Sequence, residues 1–319
     1  MTLTLKDIQE AADRIAPYIH QTPLLRMENL DAFLGCEVHV KLESMQVTNA
    51  FKIRGAMNKI LKLEDEDLEK GIITTSSGNH GRAVAFAAKR LGIHATVVVP
   101  DSGSKYKAVA IEALGAELVR CDVSERFDVA ETLARKYDYT YIPPFDDYEV
   151  MAGQGTVGLE IAAHHEDFNY IILPTSGGGL LASTSTAIKN TSASTKVYGA
   201  EPASLPRYSE SLARGELTRI PRQKTIADAL VTDQPGERNF PIVKELIDGM
   251  LAVSEEYILK GMKLLMMEGK IVAEPSSSVI IGAILEGLLK VSPEDKVCFV
   301  ISGGNVGLDI LENLKDVDY

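Results

Sequence analysis

The pattern of apolar and polar residues alternates along most of the chain between short apolar runs and longer segments with helical spacing. Residues 95–99 (ATVVV) form a continuous apolar run, which is typical of a parallel strand buried on both faces. Residues 7–16 instead place apolar side chains three and four positions apart, which is typical of an amphipathic helix. From Gly71 onwards the two patterns follow each other repeatedly as strand, turn and helix.

These patterns predict the positions of the secondary structure elements. Strands are predicted at residues 38–40, 72–75, 95–99, 117–119, 139–142, 170–173, 196–200 and 297–301. Helices are predicted at residues 7–16, 54–63, 82–91, 107–114, 128–137, 150–163, 180–189, 240–247, 255–268 and 278–289, with a last one after residue 305. Residues 210–224 are more polar and are predicted to be rich in loops.

Alternating strands and helices predict parallel sheets that are covered by helices on both faces. One compact α/β unit spans about residues 71–146, and the same pattern resumes after it. We therefore predict an α/β fold with two three-layer, parallel-sheet domains and a cleft between them.

Composition argues against several classes of partner. The 319 residues carry a formal net charge of -12 and no basic cluster, which argues against nucleic-acid binding. No apolar run approaches the roughly 18 residues of a membrane span, and residues 1–14 lack the apolar core of a secretory signal. The cysteines Cys36, Cys121 and Cys298 are scattered, so we predict a reducing cytoplasm and no zinc site.

Lys52 is the first candidate for chemistry. It follows the extended-looking run 36–42 and lies between apolar Phe51 and Ile53, with Arg54 two residues further on. A lysine amine is a nucleophile only when it is unprotonated, and both apolar surroundings and a nearby cation lower its pKa. Taken alone, an exposed lysine at the start of a helix is the more common case.

A glycine turn is the second candidate. Ser176-Gly177-Gly178-Gly179-Leu180 lies between a predicted strand and a predicted helix. Successive glycines let backbone N–H groups converge on an anion, and the helix N-terminus adds partial positive charge, so a phosphate is the expected ligand. A tight turn that only needs positive φ is the alternative.

The same turn also fits a different enzyme class. Residues 177–182 satisfy the pattern G-x-G-x-x-A, and Glu201 follows at about the distance of a ribose-binding acid. An NAD-dependent oxidoreductase is therefore an alternative, although it leaves Lys52 without a role. A non-catalytic amino-acid-binding protein is a third class.

Three further polar turns precede predicted helices. Ser76-Ser77-Gly78-Asn79-His80-Gly81 is dense in hydroxyl, amide and imidazole groups, which could hold a carboxylate or simply cap the helix. Ser302-Gly303-Gly304-Asn305 is a second such turn, with plain turn chemistry as the alternative. The third turn spans residues 273–278, and its serines Ser276, Ser277 and Ser278 are predicted to be helix caps.

In this order, these stretches resemble the pyridoxal-phosphate enzymes of the tryptophan-synthase β-subunit fold, within the serine/threonine dehydratase and serine racemase branch. The matching residues are Thr22-Pro23-Leu24, Phe51-Lys52-x-Arg54-Gly55-Ala56, Ser76-Ser77-Gly78-Asn79-His80, Val99-Pro100, Lys107, Gly115-Ala116-Glu117, Ser176-Gly177-Gly178-Gly179-Leu180 and Ser302-Gly303-Gly304-Asn305. The resemblance implies pyridoxal 5'-phosphate as the cofactor and a small amino acid as the substrate. It also suggests a homodimer.

The resemblance further implies a role for each matching residue. Lys52 would form the Schiff base with the cofactor and then move the Cα proton of the substrate. Cofactor contacts are implied for Phe51, for Asn79 at the 3-oxygen, for Ser176, Gly177, Gly178, Gly179 and Leu180 at the phosphate, and for Ser302 at the pyridine nitrogen. The substrate carboxylate would be held by Ser76, Ser77, Asn79 and His80. Residues 1–70 and 147–319 would form a large cofactor-binding domain, and residues 71–146 a small domain that closes over the substrate.

Ser302 and Ser77 bear on the type of reaction. A neutral serine does not keep the pyridine nitrogen protonated as a carboxylate would, so prompt loss of a β-hydroxyl group is favoured over a long-lived carbanion. We therefore expect elimination from L-threonine- or L-serine-type 3-hydroxy amino acids, which gives a 2-oxo acid and ammonia. Racemisation is the alternative, because the resemblance implies that Ser77 reprotonates the face of Cα opposite Lys52.

Three positions depart from the family pattern. Ala50 stands where serine is usual, with little expected effect, and Ser176 replaces the first of four glycines, where its hydroxyl could donate to the phosphate. Eukaryotic serine racemases have a divalent-ion site after a Glu-Pro pair, with an aspartate six residues after the glutamate. Here Pro202 follows Glu201, but Arg207 holds the aspartate position, so no metal site is expected.

Overall fold

Two β-sheets organise the computed structural model, which describes residues 2–76, 78–101, 105–122, 124–164 and 167–319, without the side chains of residues 105–107. Within these residues, one sheet has six strands and the other has four. The strands are β1 (Leu24–Arg26), β2 (Glu37–Leu42), β3 (Ile72–Thr75), β4 (Ala95–Pro100), β5 (Glu117–Cys121), β6 (Thr140–Tyr141), β7 (Tyr170–Pro174), β8 (Lys196–Pro202), β9 (Gly249–Val253) and β10 (Lys296–Ile301).

Helices connect most of these strands. They are α1 (Leu5–Ile15), α2 (Glu28–Leu34), α3 (Lys52–Ile60), α4 (Asp65–Lys70), α5 (Asn79–Leu91), α6 (Lys105–Glu112), α7 (Arg126–Tyr137), α8 (Tyr148–Ala162), α9 (Gly179–Thr191), α10 (Arg207–Arg214), α11 (Asn239–Leu246), α12 (Glu255–Met267), α13 (Pro275–Leu285) and α14 (Leu308–Glu312), with a 3-10 helix at Glu43–Met45. Local chemistry fixes some of their ends. Thr4 and Asp7 form a capping box at α1, and the Asp147 carboxylate caps α8. No helix of the described residues has the length and apolar character needed to cross a bilayer.

The strand order confirms the predicted α/β class. The larger sheet has the order β1-β2-β10-β7-β8-β9, and the smaller has the order β5-β4-β3-β6. Every pairing is parallel except that between β1 and β2, which is antiparallel. The predicted parallel sheets are thus confirmed, and the one antiparallel strand of the described residues, β1, is an edge strand that was not predicted. The short β1 directly follows Pro23.

The larger sheet is buried on both faces, as its apolar strands predicted. On β10, Val297, Phe299 and Ile301 pack into a core with residues of α2, α12 and α13. The alternate residues, Cys298 and Val300, face a second core with residues of α1, α8, α9 and α11. This alternation gives the sheet a helical layer on each side.

The smaller sheet is built from strands between residues 72 and 141. On β4, Val97 and Val99 pack into a core with α5, whereas Val98 faces a small core with α7. Helix α3 adds Ile53 and Met57 to the core that contains α5. Helix α3 also packs against α8, which belongs to the second core of the larger sheet, so α3 connects the helical layers of the two sheets.

Further segments differ from the sequence-based expectation, and the short helices α2 and α4 were not predicted. Strand β9 pairs with β8 although no strand was predicted there, because its glycine and methionine give a weak strand pattern. Helix α10 begins before the segment 210–224 that was predicted to be loop-rich, and continues into it. Ser276, Ser277 and Ser278 lie buried inside α13 rather than at its cap. The helix starts earlier because Pro275 occupies its first position, which proline favours.

Candidate active site

The carboxyl-terminal edges of the two sheets meet. The turns after β7 and β10 lie at the same edge of the larger sheet because these strands are parallel. Asn79, which follows β3, donates from Nδ2 to Glu274 Oε1 at 2.7 Å and accepts from Asn305 Nδ2 at 2.8 Å. The polar turn of the smaller sheet therefore contacts the site edge of the larger one.

Lys52 is the first residue of α3. Its amine lies near the edge where the two sheets meet. Nζ donates a hydrogen bond to the main-chain oxygen of Pro144 at 2.6 Å, and it lies 5.0 Å from the centre of the Phe51 ring. Burial lowers the pKa of Lys52 to about 8, and the nearby Glu274 carboxylate partly opposes this shift. An unprotonated, nucleophilic amine is therefore accessible near neutral pH.

Arg54 does not act on Lys52. Its buried guanidinium donates from Nε to Glu43 Oε2 at 2.7 Å and from Nη1 to Glu160 Oε1 at 2.6 Å. Lys41 joins this network through its own bond to Glu160. The expectation that Arg54 lowers the pKa of the lysine is thus wrong, because two carboxylates balance its charge. Arg54 instead fastens α3 to α8 and to the segment after β2.

The glycines of the glycine turn occupy positions that have no room for a side chain. Gly178 has a φ of 96°, and a Cβ there would lie 1.8 Å from Tyr208 Oη. A Cβ on Gly177 would lie 2.5 Å from the Phe145 ring. Ser176 places its hydroxyl 3.1 Å from that of Thr232. Since α9 begins at this turn, its first N–H groups have no partner within the helix, and free N–H groups at a helix N-terminus favour an anion. The phosphate role of the turn stays a prediction.

Gln154 connects the lysine to the glycine turn. Its Nε2 donates to the Pro144 oxygen at 3.2 Å, the same oxygen that accepts from Lys52. Its Oε1 is buried without a hydrogen-bond partner among the described residues, and lies 2.4 Å from where a Cβ on Gly179 would be. An amine of lowered pKa beside a glycine turn at a helix N-terminus fits a phosphorylated aldehyde such as pyridoxal phosphate.

Ser302 lies beside the lysine stretch. Its main-chain oxygen accepts from the N–H of Phe51 at 3.0 Å, and Gly303 pairs with Ala50 in an isolated bridge. The Ser302 hydroxyl is buried and lies 2.9 Å from the hydroxyl of Ser277 on α13. This site therefore presents a pair of neutral hydroxyl groups.

The polar turn after β3 is described in part, since Ser77 lies outside the described residues. The Ser76 hydroxyl accepts from the N–H of Gly78 at 3.3 Å. Nε2 of His80 lies 2.9 Å from the Ile142 oxygen, and burial lowers the pKa of this imidazole to about 3. A neutral ring that donates from Nε2 keeps Nδ1 as an acceptor. A donor role of this ring towards a substrate carboxylate does not fit the geometry.

Glu201 binds the N-terminus of α10. Its buried carboxylate accepts from the N–H groups of Tyr208 at 3.0 Å and Ser209 at 2.8 Å. It cannot also bind a ribose hydroxyl, which removes the acid that the NAD-dependent alternative needs. Arg207 Nε lies 3.9 Å from the same carboxylate. No group of three or more potential metal ligands (His, Cys, Asp or Glu) occurs in the part of the chain that the structure describes.

Several residues of the site were not recognised from the sequence. Glu274 was read as part of a polar break, although a Glu-Pro pair before a run of small residues indicates a helix start. Gln154 lies among the closely spaced glycines of α8, and a Cβ on its neighbour Gly153 would lie 2.2 Å from the Arg54 oxygen. Such a run of small residues was the available signal for close packing of α8 beneath the lysine.

Comparisons with known proteins show the family to which the chain belongs. A family model described as pyridoxal-phosphate dependent enzyme matches residues 15–303. A serine racemase of Dictyostelium discoideum is 40% identical over 318 residues, which is 98% of each chain. A catabolic L-threonine dehydratase of Staphylococcus aureus is 40% identical over 311 residues, 96% of this chain and 90% of that one.

A solved structure gives the same result. The structure of maize serine racemase aligns with a TM-score of 0.94 at 34% identity, and covers 98% of this chain and 97% of that one. The resemblance predicted from the motifs is thus confirmed. The chain belongs to the family of pyridoxal-phosphate-dependent enzymes, in the branch of serine/threonine dehydratases and serine racemases.

Proposed function

We propose that this protein is an ammonia-lyase that converts L-threonine- or L-serine-type 3-hydroxy amino acids into 2-oxo acids and ammonia. The observation that carries the proposal is the hydroxyl of Ser302, 2.9 Å from the hydroxyl of Ser277. Neutral hydroxyls do not hold a pyridine nitrogen protonated, so loss of the β-hydroxyl group is favoured over a long-lived carbanion. The threonine dehydratases among the relatives support the same reaction.

Lys52 is assigned the proton chemistry. When bound, pyridoxal phosphate supplies the electron sink for the pair that remains when the Cα proton leaves. The amine Nζ would accept that proton and pass it to the departing β-hydroxyl, which leaves as water. A pKa of about 8 lets the amine both accept and donate a proton near neutral pH. The Phe51 ring, 5.0 Å from Nζ, keeps one side of the amine apolar and in contact with the cofactor site.

The cofactor would be oriented from three sides. Its phosphate is assigned to the N–H groups of Ser176, Gly177, Gly178, Gly179 and Leu180 at the start of α9. Asn79 keeps one amide hydrogen beyond the one given to Glu274, and this hydrogen is assigned to the 3-oxygen. Ser302 is assigned to the pyridine nitrogen.

The substrate carboxylate is assigned to the turn of Ser76, Ser77, Asn79 and His80. The start of α5 supports this, because its free N–H groups favour an anion. His80 would contribute its main-chain N–H only, since its ring is bound to the Ile142 oxygen.

Serine racemisation is the second candidate function. Two serine racemases among the relatives favour it, and so does the serine at position 77. In this reading Lys52 and Ser77 serve opposite faces of Cα. A Ser77→Ala variant would then lose racemisation and keep much of its elimination. Equal losses of both reactions would contradict a two-base site.

The larger organisation is also part of the proposal. We assign residues 71–146 to a small domain that closes over the substrate, and residues 1–70 and 147–319 to a large cofactor-binding domain. The confinement of one sheet to residues 72–141 supports this division. We further propose a cytoplasmic homodimer. The free thiols of Cys36, Cys121 and Cys298 fit a reducing compartment, and light scattering would test the dimer.

Covalent capture of the cofactor tests the enzyme class. Protein loaded with pyridoxal phosphate is reduced with borohydride and mapped by mass spectrometry. The proposal expects the label on Lys52, and a Lys52→Ala variant that is neither labelled nor able to deaminate L-threonine. Binding of NADH without any label would favour the oxidoreductase. Binding of an amino acid by a cofactor-saturated but unlabelled protein would favour a non-catalytic role.

A further inference from the structure

The first two residues of α10, Arg207 and Tyr208, donate hydrogen bonds to main-chain oxygens in and next to the glycine turn. Tyr208 Oη donates a hydrogen bond to the main-chain oxygen of Gly177 at 3.0 Å. Arg207 Nη1 donates to the main-chain oxygen of Thr175 at 3.1 Å. Both side chains are completely buried. Consecutive residues of one helix thus bind the two carbonyl groups on either side of Ser176.

Fixing these carbonyl groups also fixes the direction of the N–H groups in the turn. A trans peptide unit is planar, and its C=O and N–H bonds point in opposite directions. The peptide unit whose oxygen binds Tyr208 carries the N–H of Gly178. The unit whose oxygen binds Arg207 carries the N–H of Ser176. Each N–H therefore points away from α10.

The main-chain oxygen of Gly177 accepts hydrogen bonds from three groups of the described residues. Besides Tyr208, it accepts from Asn239 Nδ2 at 2.8 Å and from the N–H of Gly236 at 2.9 Å. At the same place Gly178 adopts a φ of 96°, and a Cβ there would lie 1.8 Å from the Tyr208 hydroxyl. The tyrosine therefore both binds the turn and fills the space behind it.

Buried charge holds α10 in this position. The Glu201 carboxylate accepts from the N–H groups of Tyr208 at 3.0 Å and Ser209 at 2.8 Å, at the start of the helix. Arg207 Nη2 donates to the Leu230 oxygen at 3.0 Å. A carboxylate at the N-terminus of a helix is stabilising. These contacts fix the start of α10 next to the glycine turn.

We propose that Tyr208 and Arg207 are positioning residues that orient the N–H groups of Ser176 and Gly178 towards the cofactor phosphate. This rests on the proposed role of the turn as the phosphate site. Both side chains bind main-chain oxygens and would act on the ligand only through the turn. They raise the affinity for ligands that carry the phosphate group. The affinity for a ligand without that group does not depend on them.

Two ligands that differ only in the phosphate test this inference. The full-length apo protein is titrated with pyridoxal phosphate and with pyridoxal, and binding is followed by absorbance. In Tyr208→Phe the ring remains but one hydrogen bond is lost, so affinity for pyridoxal phosphate falls about tenfold. Affinity for pyridoxal stays the same. Arg207→Lys replaces the planar guanidinium, whose two Nη groups reach two separate carbonyl oxygens, with a compact ammonium and gives the same selective loss.

A matched tyrosine controls for the substitution itself. Tyr198→Phe removes a hydroxyl from a ring that packs against Tyr170, with centroids 6.1 Å apart, and should change neither affinity. Thermal unfolding of each apo variant confirms that it is folded. If Tyr208→Phe binds pyridoxal phosphate as tightly as wild type, or loses both ligands equally, the inference is wrong. If wild type binds no pyridoxal phosphate, the proposed function fails as well.

Discussion

The Lys52 amine nitrogen lies 2.6 Å from the main-chain oxygen of Pro144, 92 residues further along the chain. This hydrogen bond ties the start of α3 to the segment that follows the smaller sheet. It also places the amine where burial lowers its pKa to about 8 and where Glu274 raises it. The protonation state of the amine therefore depends on pH within the working range.

The rate of cofactor attachment should report this pKa. In apo protein, attachment of pyridoxal phosphate needs the unprotonated amine, so the rate should rise with pH, with its midpoint at about 8. Glu274→Gln removes the charge that favours the ammonium form, which lowers the pKa of Lys52 and moves the midpoint to lower pH. Stopped-flow absorbance measures both profiles.

The exposed Glu294 provides the control, because Glu294→Gln removes a charge from the surface. Its profile should coincide with that of wild type. A midpoint that stays in place or moves to higher pH in Glu274→Gln would contradict the electrostatic account.

Replacement of Ser302 tests the link between neutral hydroxyls and reaction type. A carboxylate in Ser302→Asp would raise the pKa of the ring nitrogen by about 1–3 units and keep the ring protonated. The ratio of racemisation to elimination on L-serine should then rise. Ser302→Asn has nearly the same shape without the charge and should leave the ratio close to that of wild type. Both products are quantified by chiral chromatography. Equal ratios in the two variants would rule out a role for charge.

The buried network of Arg54 should dominate the stability of the lysine region. Arg54→Met leaves Glu43 and Glu160 without their shared partner and should cost about 3–5 kcal/mol of unfolding free energy. Lys62 forms an exposed pair with Glu149, and Lys62→Met should cost about 1 kcal/mol or less. Urea unfolding of the apo proteins measures both. Similar small losses would contradict the structural role of Arg54.

Most strands and the glycine turn were predictable from the sequence because their signals are local, whereas β1 and β9 were not predicted. Apolar runs such as residues 95–99 specify buried strands, and successive glycines specify a tight turn. The partners of Lys52 were not predictable in this way. Glu274 and Pro144 reach the amine only through the tertiary fold. The charge of Arg54 also looked available to the lysine until its two distant carboxylates were placed.

Divalent ions should have no part in activity or stability. Arg207 lies 3.9 Å from the Glu201 carboxylate and supplies the positive charge at that position. Exhaustive chelation should therefore leave both the melting temperature and the rate on L-threonine unchanged. As the complementary experiment, Mg²⁺ or Mn²⁺ is added to the chelated protein. A rise in the melting temperature or in the rate on L-threonine would show that an ion binds.

The partition between the two reactions tests the central claim most directly. L-Threonine and L-serine are each incubated with the loaded enzyme, and 2-oxo acid and enantiomer are measured in the same sample over time. A parallel panel of D- and other 3-hydroxy amino acids defines the preferred substrate. The account predicts that 2-oxo acid and ammonia form faster than the enantiomer. Enantiomer formation without 2-oxo acid, or no reaction with any 3-hydroxy amino acid, would contradict it.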